Sequence, residues 1–136
     1  KKKNCIFIND SKATSFQATK FALQNSKNIF WIVGGLPKEN DRIILNKAKR
    51  NIIKSYIIGK NIKFFKRQLK NRVNYCISKN LKNSIIQILK DIKLFKKKNN
   101  IILLSPAAAS FDQYSNFEKR GEEFKRLSKY YARKYI

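Results

Sequence analysis

The stretch that decides the fold is a run of five apolar residues followed by two glycines, Ile29-Phe30-Trp31-Ile32-Val33-Gly34-Gly35. Continuous apolar runs of this length, rich in β-branched and aromatic side chains, are typical of a strand buried on both faces. The two glycines end the strand, and Pro37 indicates that a loop follows. The sequence therefore predicts a central buried strand with an irregular segment at its carboxyl end.

Three more runs, at residues 6–8, 55–58 and 101–104, and a short segment at 74–77 predict further strands before and after this one along the chain. Helical segments alternate with them, and their predicted first residues are Thr14 or Ser15, Asp41, Ile62, Ser78 or Asn80, and Asn116 or Phe117. Strands that alternate with helices are typical of a parallel sheet covered on both faces. The predicted fold class is therefore α/β, a Rossmann-like three-layer α/β/α domain with a mostly parallel sheet of five to six strands.

The apolar spacing assigns a buried face to each helix. The first helix, which runs to about Ser26, is predicted to bury Ala18, Phe21 and Ala22, and the second to bury Ile44, Leu45 and Ala48. The third would run over residues 62–72 with Phe65 and Leu69 inward. The strongest stripe belongs to the fourth helix, at Leu81, Ile85, Ile88, Leu89 and Ile92, and the last would bury Phe124, Leu127 and Tyr131.

Composition excludes several classes of protein. The 136 residues are 43% hydrophobic and 29% charged, which is enough for one globular domain with its own core. No apolar run approaches the roughly 20 residues of a membrane-spanning helix, and the apolar start at residues 5–8 is too short for a signal peptide. The absence of histidine excludes imidazole catalysis within the chain, and the two distant cysteines favour a reducing, cytoplasmic compartment.

The net charge of +24 has two explanations. One is a polyanion partner such as nucleic acid. The other is compositional drift, because the chain is rich in Lys, Asn, Ile and Phe, whose codons are AT-rich. The basic residues are spread along the whole chain, and aromatic residues are not interleaved with them in the pattern of an RNA-binding sheet. This distribution favours drift.

Ligands of parallel sheets bind beyond the carboxyl ends of the strands. Here that edge would carry the loops at residues 9–14, 34–41, 59–61 and 105–117. These loops offer two lysines, several hydroxyls and helix N-termini, which together predict a binding surface for anions: Lys12, Lys38, Ser11, Thr14, Ser105 and Ser110.

The same edge lacks the elements of a self-sufficient active site. It has no phosphate-binding loop of either common glycine pattern. Its acidic residues show no metal-ligand spacing, so no metal site is predicted: Asp10, Glu39, Asp41 and Asp112. We therefore expect no catalytic residue within the chain itself.

Three of the loops carry motifs that resemble the C-terminal domain of the Mur ligases. The first motif is Asn9-Asp10-Ser11-Lys12-Ala13-Thr14, and the second is Gly34-Gly35 followed by Lys38. The third is Leu103-Leu104-Ser105-Pro106-Ala107-Ala108-Ala109-Ser110-Phe111-Asp112, continued by Asn116-Phe117-Glu118, Arg120-Gly121 and Phe124. The motifs follow the family's order over residues 5–127 and are closest to its D-glutamate-adding members. Leu36-Pro37 and Glu39 depart from the small residues common in the second loop.

The resemblance implies a fold, a reaction and a domain organisation. An intact enzyme of this kind would use ATP and Mg²⁺ to phosphorylate the carboxylate of UDP-N-acetylmuramoyl-L-alanine, and the amine of D-glutamate would then displace phosphate to form an amide. Residues 1–136 would be a single C-terminal domain that binds D-glutamate and closes over a central ATPase domain. That ATPase domain, which would hold most of the ATP and Mg²⁺, and an N-terminal nucleotide-sugar domain lie outside this chain.

The resemblance also implies roles for single residues. Thr14, Lys38, Ser110 and Phe117 would hold D-glutamate, Ser110 and Phe117 largely through backbone N–H groups. Asp10 and Lys12 would face the nucleotide. The expected setting is peptidoglycan precursor synthesis in the cytoplasm, with no specific nucleic-acid partner and no membrane insertion.

Two alternatives remain at this level. One is another Mur ligase or a folylpolyglutamate-type ligase, against which residues 105–124 argue. The other is a basic nucleic-acid-binding α/β module, whose affinity would fall steeply with added salt.

Overall fold

The computed structural model describes residues 5–96 and 98–135, so the lysines at positions 1–3 and Lys97 lie outside the described residues. Within this part of the chain the strands are β1 (Cys5–Asn9), β2 (Ile29–Gly34), β3 (Ile52–Ile58), β4 (Tyr75–Lys79) and β5 (Asn100–Leu104). The helices are α1 (Phe16–Gln24), α2 (Ile62–Leu69), α3 (Leu81–Phe95) and α4 (Phe117–Tyr135), with a 3₁₀ helix at Asn46–Asn51.

The strands form one sheet in the order β1-β5-β2-β3-β4, and each of the described pairings is parallel. β2 lies at the centre, as its continuous apolar sequence predicts, and all six of its residues are buried. Because β5 lies between β1 and β2, the loops after β1, β5 and β2 leave the sheet side by side. The predicted α/β fold with a mostly parallel sheet of five to six strands is confirmed, and the sheet of the described residues has five strands.

Two hydrophobic cores lie on opposite faces of the sheet. On β2, Ile29, Trp31 and Val33 face the core formed with α1 and α2, whereas Phe30 and Ile32 face the core formed with α3 and α4. This alternation explains why the strand has no polar face, since both of its surfaces are covered by helices. The predicted three layers are therefore present.

The helix predicted at Asp41 is wrong. Residues 41–45 are irregular, and only the short 3₁₀ helix follows before β3. Ile43 and Leu45 are buried while Ile44 is 51% exposed, which is the alternation of an extended segment. The Asp41 carboxylate does not cap a helix of its own, because it accepts a hydrogen bond from the backbone N–H of Phe16 in α1 at 3.0 Å.

The start of α1 is as predicted, but its buried face is not. Ser15 is the N-cap, and its hydroxyl accepts from the backbone N–H of Ala18. The residues turned inward are Phe16, Thr19 and Leu23. Of the predicted stripe only Ala22 is partly buried against the core, whereas Ala18 is exposed and Phe21 is 73% exposed. The predicted stripe is rotated around the helix because Thr19 buries its hydroxyl against a loop carbonyl, which hydropathy alone does not anticipate.

The strong stripe predicted for α3 is confirmed. Asn80 caps the helix by accepting from the backbone N–H of Asn83 at 2.8 Å, and Leu81, Ile85, Ile88 and Leu89 are buried. Both cysteines are free thiols. None of the described helices combines the length and apolar character needed to cross a membrane.

Candidate functional site

The loops at the carboxyl edge of the sheet are bonded to one another. The loop after β2 meets the loop after β5 through the N–H of Gly34, which donates to the carbonyl of Pro106 at 2.9 Å. Leu36 and Ala109 then exchange two backbone hydrogen bonds of 2.8 Å. Asn61, which follows β3, donates from its side chain to the carbonyl of Gly35. The predicted anion-binding loops therefore form one continuous surface.

Asp10 and Ser105 form the polar centre beside the end of β1. The Ser105 hydroxyl donates to Asp10 Oδ2 at 2.6 Å and lies 2.9 Å from the hydroxyl of Thr19, while the Ser105 carbonyl accepts from Trp31 Nε1. Burial raises the pKa of the Asp10 carboxyl, and the bond from Ser105 opposes this with a smaller effect. The Ser105 hydroxyl is therefore bonded within the protein. The prediction that it belongs to an anion-binding surface is wrong.

Lys12 and Phe117 line the same surface cleft. The cleft has a volume of about 290 Å³, lies between the loop after β1 and the first turns of α4, and is lined by Asn9, Ser11, Lys12, Phe117, Glu118, Gly121, Glu122 and Lys125. Lys12 is exposed and Phe117 is half-buried. A cation and an aromatic ring, predicted to face different ligands, therefore lie around one cleft.

Thr14 lies in the loop after β1, and Lys38 lies in the loop after β2. Thr14 is half-buried and precedes the helix cap Ser15, so α1 does not use the Thr14 side chain as its cap. Lys38 is exposed and, among the residues that the structure describes, has no carboxylate within salt-bridge distance. The pair of hydrogen bonds between Leu36 and Ala109 fixes the loop just before Lys38, although Leu36 departs from the family pattern.

Ser110 is buried, and its hydroxyl has no hydrogen-bond partner within residues 5–96 and 98–135. The Ser110 carbonyl accepts from the N–H groups of Gln113 and Tyr114, which makes a tight turn before α4. The hydroxyls of Ser55 and Ser128 are likewise without a partner among the described residues, so this feature does not by itself identify a binding site. It leaves the Ser110 hydroxyl able to form a hydrogen bond at a predicted site residue.

Two of the acidic residues of the edge, Asp41 and Asp112, have structural roles. Asp41 binds the N–H of Phe16, and Asp112 accepts from the N–H of Lys60 at 3.0 Å. Among the described residues, no three side chains of the His, Cys, Asp or Glu type are grouped so that they could hold a metal ion.

Comparison with known proteins gives the family relationship. No family model matches the chain. It is 42% identical over 124 residues to a UDP-N-acetylmuramoylalanine–D-glutamate ligase of Wolbachia sp. subsp. Brugia malayi, an alignment that covers 91% of this chain and 25% of the ligase. It is 41% identical over 127 residues to that of Nitrobacter hamburgensis (93% and 27%), and 41% identical over 124 residues to that of Rhizobium meliloti (91% and 27%).

The chain is homologous to part of these ligases. The resemblance to the Mur ligase C-terminal domain is thereby confirmed, and the chain spans about a quarter of the length of the curated relatives that it matches. All three relatives bear the same name, which favours the D-glutamate-adding branch over other Mur specificities.

Two residues of this Mur-type edge escaped assignment from sequence, Arg120 and Asp112. Arg120 is 1% exposed and lies in α4 on the same stripe as Phe124 and Leu127. Its signal in the sequence is a cation at an apolar helical position, which is rare in a core. Asp112 links two loops through Lys60 and attracts the Arg120 guanidinium electrostatically.

Proposed function

We propose that this chain acts as the D-glutamate-binding C-terminal domain of an ATP-dependent UDP-N-acetylmuramoyl-L-alanine:D-glutamate ligase in peptidoglycan precursor synthesis. The observation that carries the proposal is the identity of about two fifths to such ligases across nine tenths of the chain. The joined loops at the carboxyl edge support it, because they contain the motifs on which the resemblance rests.

In this proposal residues 1–136 form one domain, and the nucleotide-sugar and ATPase domains belong to other parts of the enzyme. ATP would phosphorylate the carboxylate of the nucleotide sugar, and the amine of D-glutamate would displace the phosphate. Since the described residues offer no cluster of metal ligands, no step of the reaction is assigned to Mg²⁺ on this chain. The substrates imply a cytoplasmic enzyme, with ATP and the nucleotide sugar as further ligands.

The proposed task of this domain is to hold and aim an amino acid with two carboxylates. Lys38 supplies an exposed ammonium group without an internal salt bridge among the described residues, and Ser110 supplies a buried hydroxyl without a described partner. Thr14 and Phe117 would complete the set from the neighbouring loops. Each charge-assisted hydrogen bond to a carboxylate contributes about 1.5–3 kcal/mol, and a fixed orientation brings the amine into line with the acyl phosphate.

Asp10 and Lys12 would face the nucleotide. Asp10 is held at the sheet edge by Ser105 and by its own N–H, which donates to the carbonyl of Leu104 at 2.7 Å. Lys12 is exposed on the same loop, where its ammonium group would contact a phosphate of the nucleotide. Closure of this domain over the ATPase domain would bring both side chains to the nucleotide while the amino acid stays bound.

The test uses the native gene product that carries this chain. D-Glutamate-dependent phosphate release from ATP and UDP-N-acetylmuramoyl-L-alanine is expected. Absence of this activity in the intact polypeptide, or equal activity with L-glutamate, would contradict the proposal. The mass and the sequence of the native polypeptide in the same preparation show whether a phosphate-binding loop of the ATPase type precedes this segment.

Lys38→Ala tests the site within that enzyme. Loss of one charge-assisted bond is expected to raise the KM for D-glutamate by about tenfold or more and to leave the KM for ATP within about twofold. Lys47→Ala is the matched control, because Lys47 is an exposed lysine in the 3₁₀ helix that leads into the opposite edge of the sheet. An unchanged KM for D-glutamate in Lys38→Ala would refute the assignment of Lys38.

A further inference from the structure

Helix α4 buries an arginine against the loop that follows β1. Arg120 is 1% exposed and occupies a position of the stripe that Phe124 and Leu127 share, where an aliphatic side chain would normally lie. Burial lowers the pKa of Arg120 to about 10, so the guanidinium is still charged at neutral pH. Burial of a charge in this position opposes folding unless hydrogen bonds and nearby opposite charges offset the cost.

Two of its nitrogens clamp the first loop to the start of α4. Arg120 Nε donates to the Ser11 hydroxyl at 2.9 Å, and Nη2 donates to the Ser11 carbonyl at 2.7 Å. The Ser11 hydroxyl in turn donates to the carbonyl of Phe117 at 2.7 Å. Since Ser11 is flanked by Asp10 and Lys12, this chain of bonds fixes the first loop relative to Phe117.

The third nitrogen, Nη1, has no hydrogen-bond partner within the described part of the chain. Nη1 lies close to the point where the loop after β2 meets the loop after β5. A Cβ built on Gly35 would be 3.3 Å from Nη1 and 2.4 Å from the carbonyl oxygen of Ala109. Ser110, whose hydroxyl is also without a described partner, follows Ala109 directly. Asp112 attracts the guanidinium but forms no salt bridge with it among the described contacts.

We propose that Arg120 is a positioning residue of the amino-acid site, which holds Ser11 against Phe117 and places a positive charge beside Gly35, next to the loop that carries Ser110, where a carboxylate of the substrate would bind. This inference rests on the proposed function and extends it. The charge acts through a poorly solvated interior, in which electrostatic attraction is stronger than in water. Glycine at position 35 permits the close approach of the loop to Nη1, since any larger residue would meet the Ala109 carbonyl.

Two substitutions in the native gene product separate geometry from charge. Arg120→Lys keeps the charge but loses the planar fork that binds Ser11 twice, and Arg120→Met keeps the approximate volume and loses the charge. We expect both variants to raise the KM for D-glutamate by about tenfold or more, the second by more than the first, with the KM for ATP within about twofold. Arg126→Met is the control, because Arg126 is exposed on the same helix and pairs with Glu123.

A purely structural role predicts a different result. In that case the variants would lower Tm and kcat, or would raise the KM values for D-glutamate and ATP together. Either result, without a selective rise in the KM for D-glutamate, would overturn the proposal. If Arg120→Met does not fold, Ser11→Ala removes the hydroxyl that joins the guanidinium to Phe117, and its D-glutamate KM decides in the same way. Lys38→Ala, measured in the same assay, separates this inference from the proposed function. If Lys38→Ala raises the KM for D-glutamate but not that for ATP, and the Arg120 variants do not, only the inference about Arg120 fails.

Discussion

Gly34 shows at the scale of one residue how the end of the central strand is built. Its φ of +131° lies in a region that favours glycine, and a Cβ added there would be 2.1 Å from the carbonyl oxygen of Ile58. The obstacle is backbone of the neighbouring strand, to which Gly34 is paired, so it cannot rotate away as a side chain could. The absence of a side chain thus allows β2 to turn directly into the second loop of the site.

We expect Gly34→Ala to destabilise the protein by about 3 kcal/mol or more, because it combines backbone strain with a clash against β3. Gly121→Ala is the matched control. Its added Cβ would lie 3.3 Å from Ser11 Cβ and 2.9 Å from the end of the exposed Asn9 side chain, which would shift and lose its 3.5 Å hydrogen bond to the Gly121 carbonyl. Replacing a helical glycine also recovers up to about 1 kcal/mol, so a net change of about 1 kcal/mol or less is expected. Urea unfolding of both variants measures the difference, and equal losses would contradict this account.

Between elements, α3 is fastened to β3 by one buried carboxylate. Asp91 is 4% exposed and accepts from Lys54 Nζ at 2.9 Å, from the Tyr56 hydroxyl at 2.7 Å and from Gln87 Nε2 at 3.0 Å. Burial raises the pKa of Tyr56, and the bond to Asp91 raises it further, so this phenol remains a donor at physiological pH. The network lies on the face of the sheet away from α1 and stabilises the packing of α3.

Asp91→Ala is expected to cost about 3 kcal/mol of folding free energy, since it leaves a phenol and a largely buried ammonium group without their acceptor. The control is Glu122→Ala, which removes an exposed ion pair with Lys119 on α4 and should change stability by less than about 1 kcal/mol. Thermal unfolding of the two variants gives the comparison. A loss in Asp91→Ala no greater than that of the control would show that the network contributes little.

Across the whole molecule, positive charge is not confined to the candidate site. A cleft of about 1110 Å³ at the opposite edge, before β2 and β3, is also lined by basic residues, among them Lys27, Lys47 and Arg50. The net charge of +24 is therefore distributed over both ends of the sheet. Such a distribution fits compositional drift better than a single nucleic-acid surface, although it still attracts any polyanion.

Binding to nucleic acid is accordingly expected to be weak, independent of sequence and abolished by salt. We predict that the affinity for a short DNA duplex falls by about a hundredfold or more between about 50 mM and about 200 mM salt. Fluorescence anisotropy with two duplexes of unrelated sequence measures both properties. Selective binding to one duplex that persists at the higher salt concentration would favour the nucleic-acid alternative over drift.

The sequence alone determined the strands, the parallel α/β class and the loops on which the candidate residues lie. These features depend on local composition. The apolar run before Gly34 is stable only in a buried position, and the motifs from Asn9 to Thr14 and from Leu103 onward can be recognised without coordinates. For the same reason the stripe of α3 was predicted correctly, since its five apolar residues leave one face to bury.

Only the tertiary structure decided which polar groups are already engaged. Asp41 binds the N–H of Phe16, Ser105 binds Asp10, and Arg120 binds Ser11, in each case a residue from a distant part of the chain. Hydrogen-bond partners of this kind depend on the order of strands in the sheet, which places the loops after β1, β5 and β2 side by side. No periodicity in the sequence encodes that order, so the contacts of Ser11 with Arg120 and of Ser105 with Asp10 emerge only when the chain is folded.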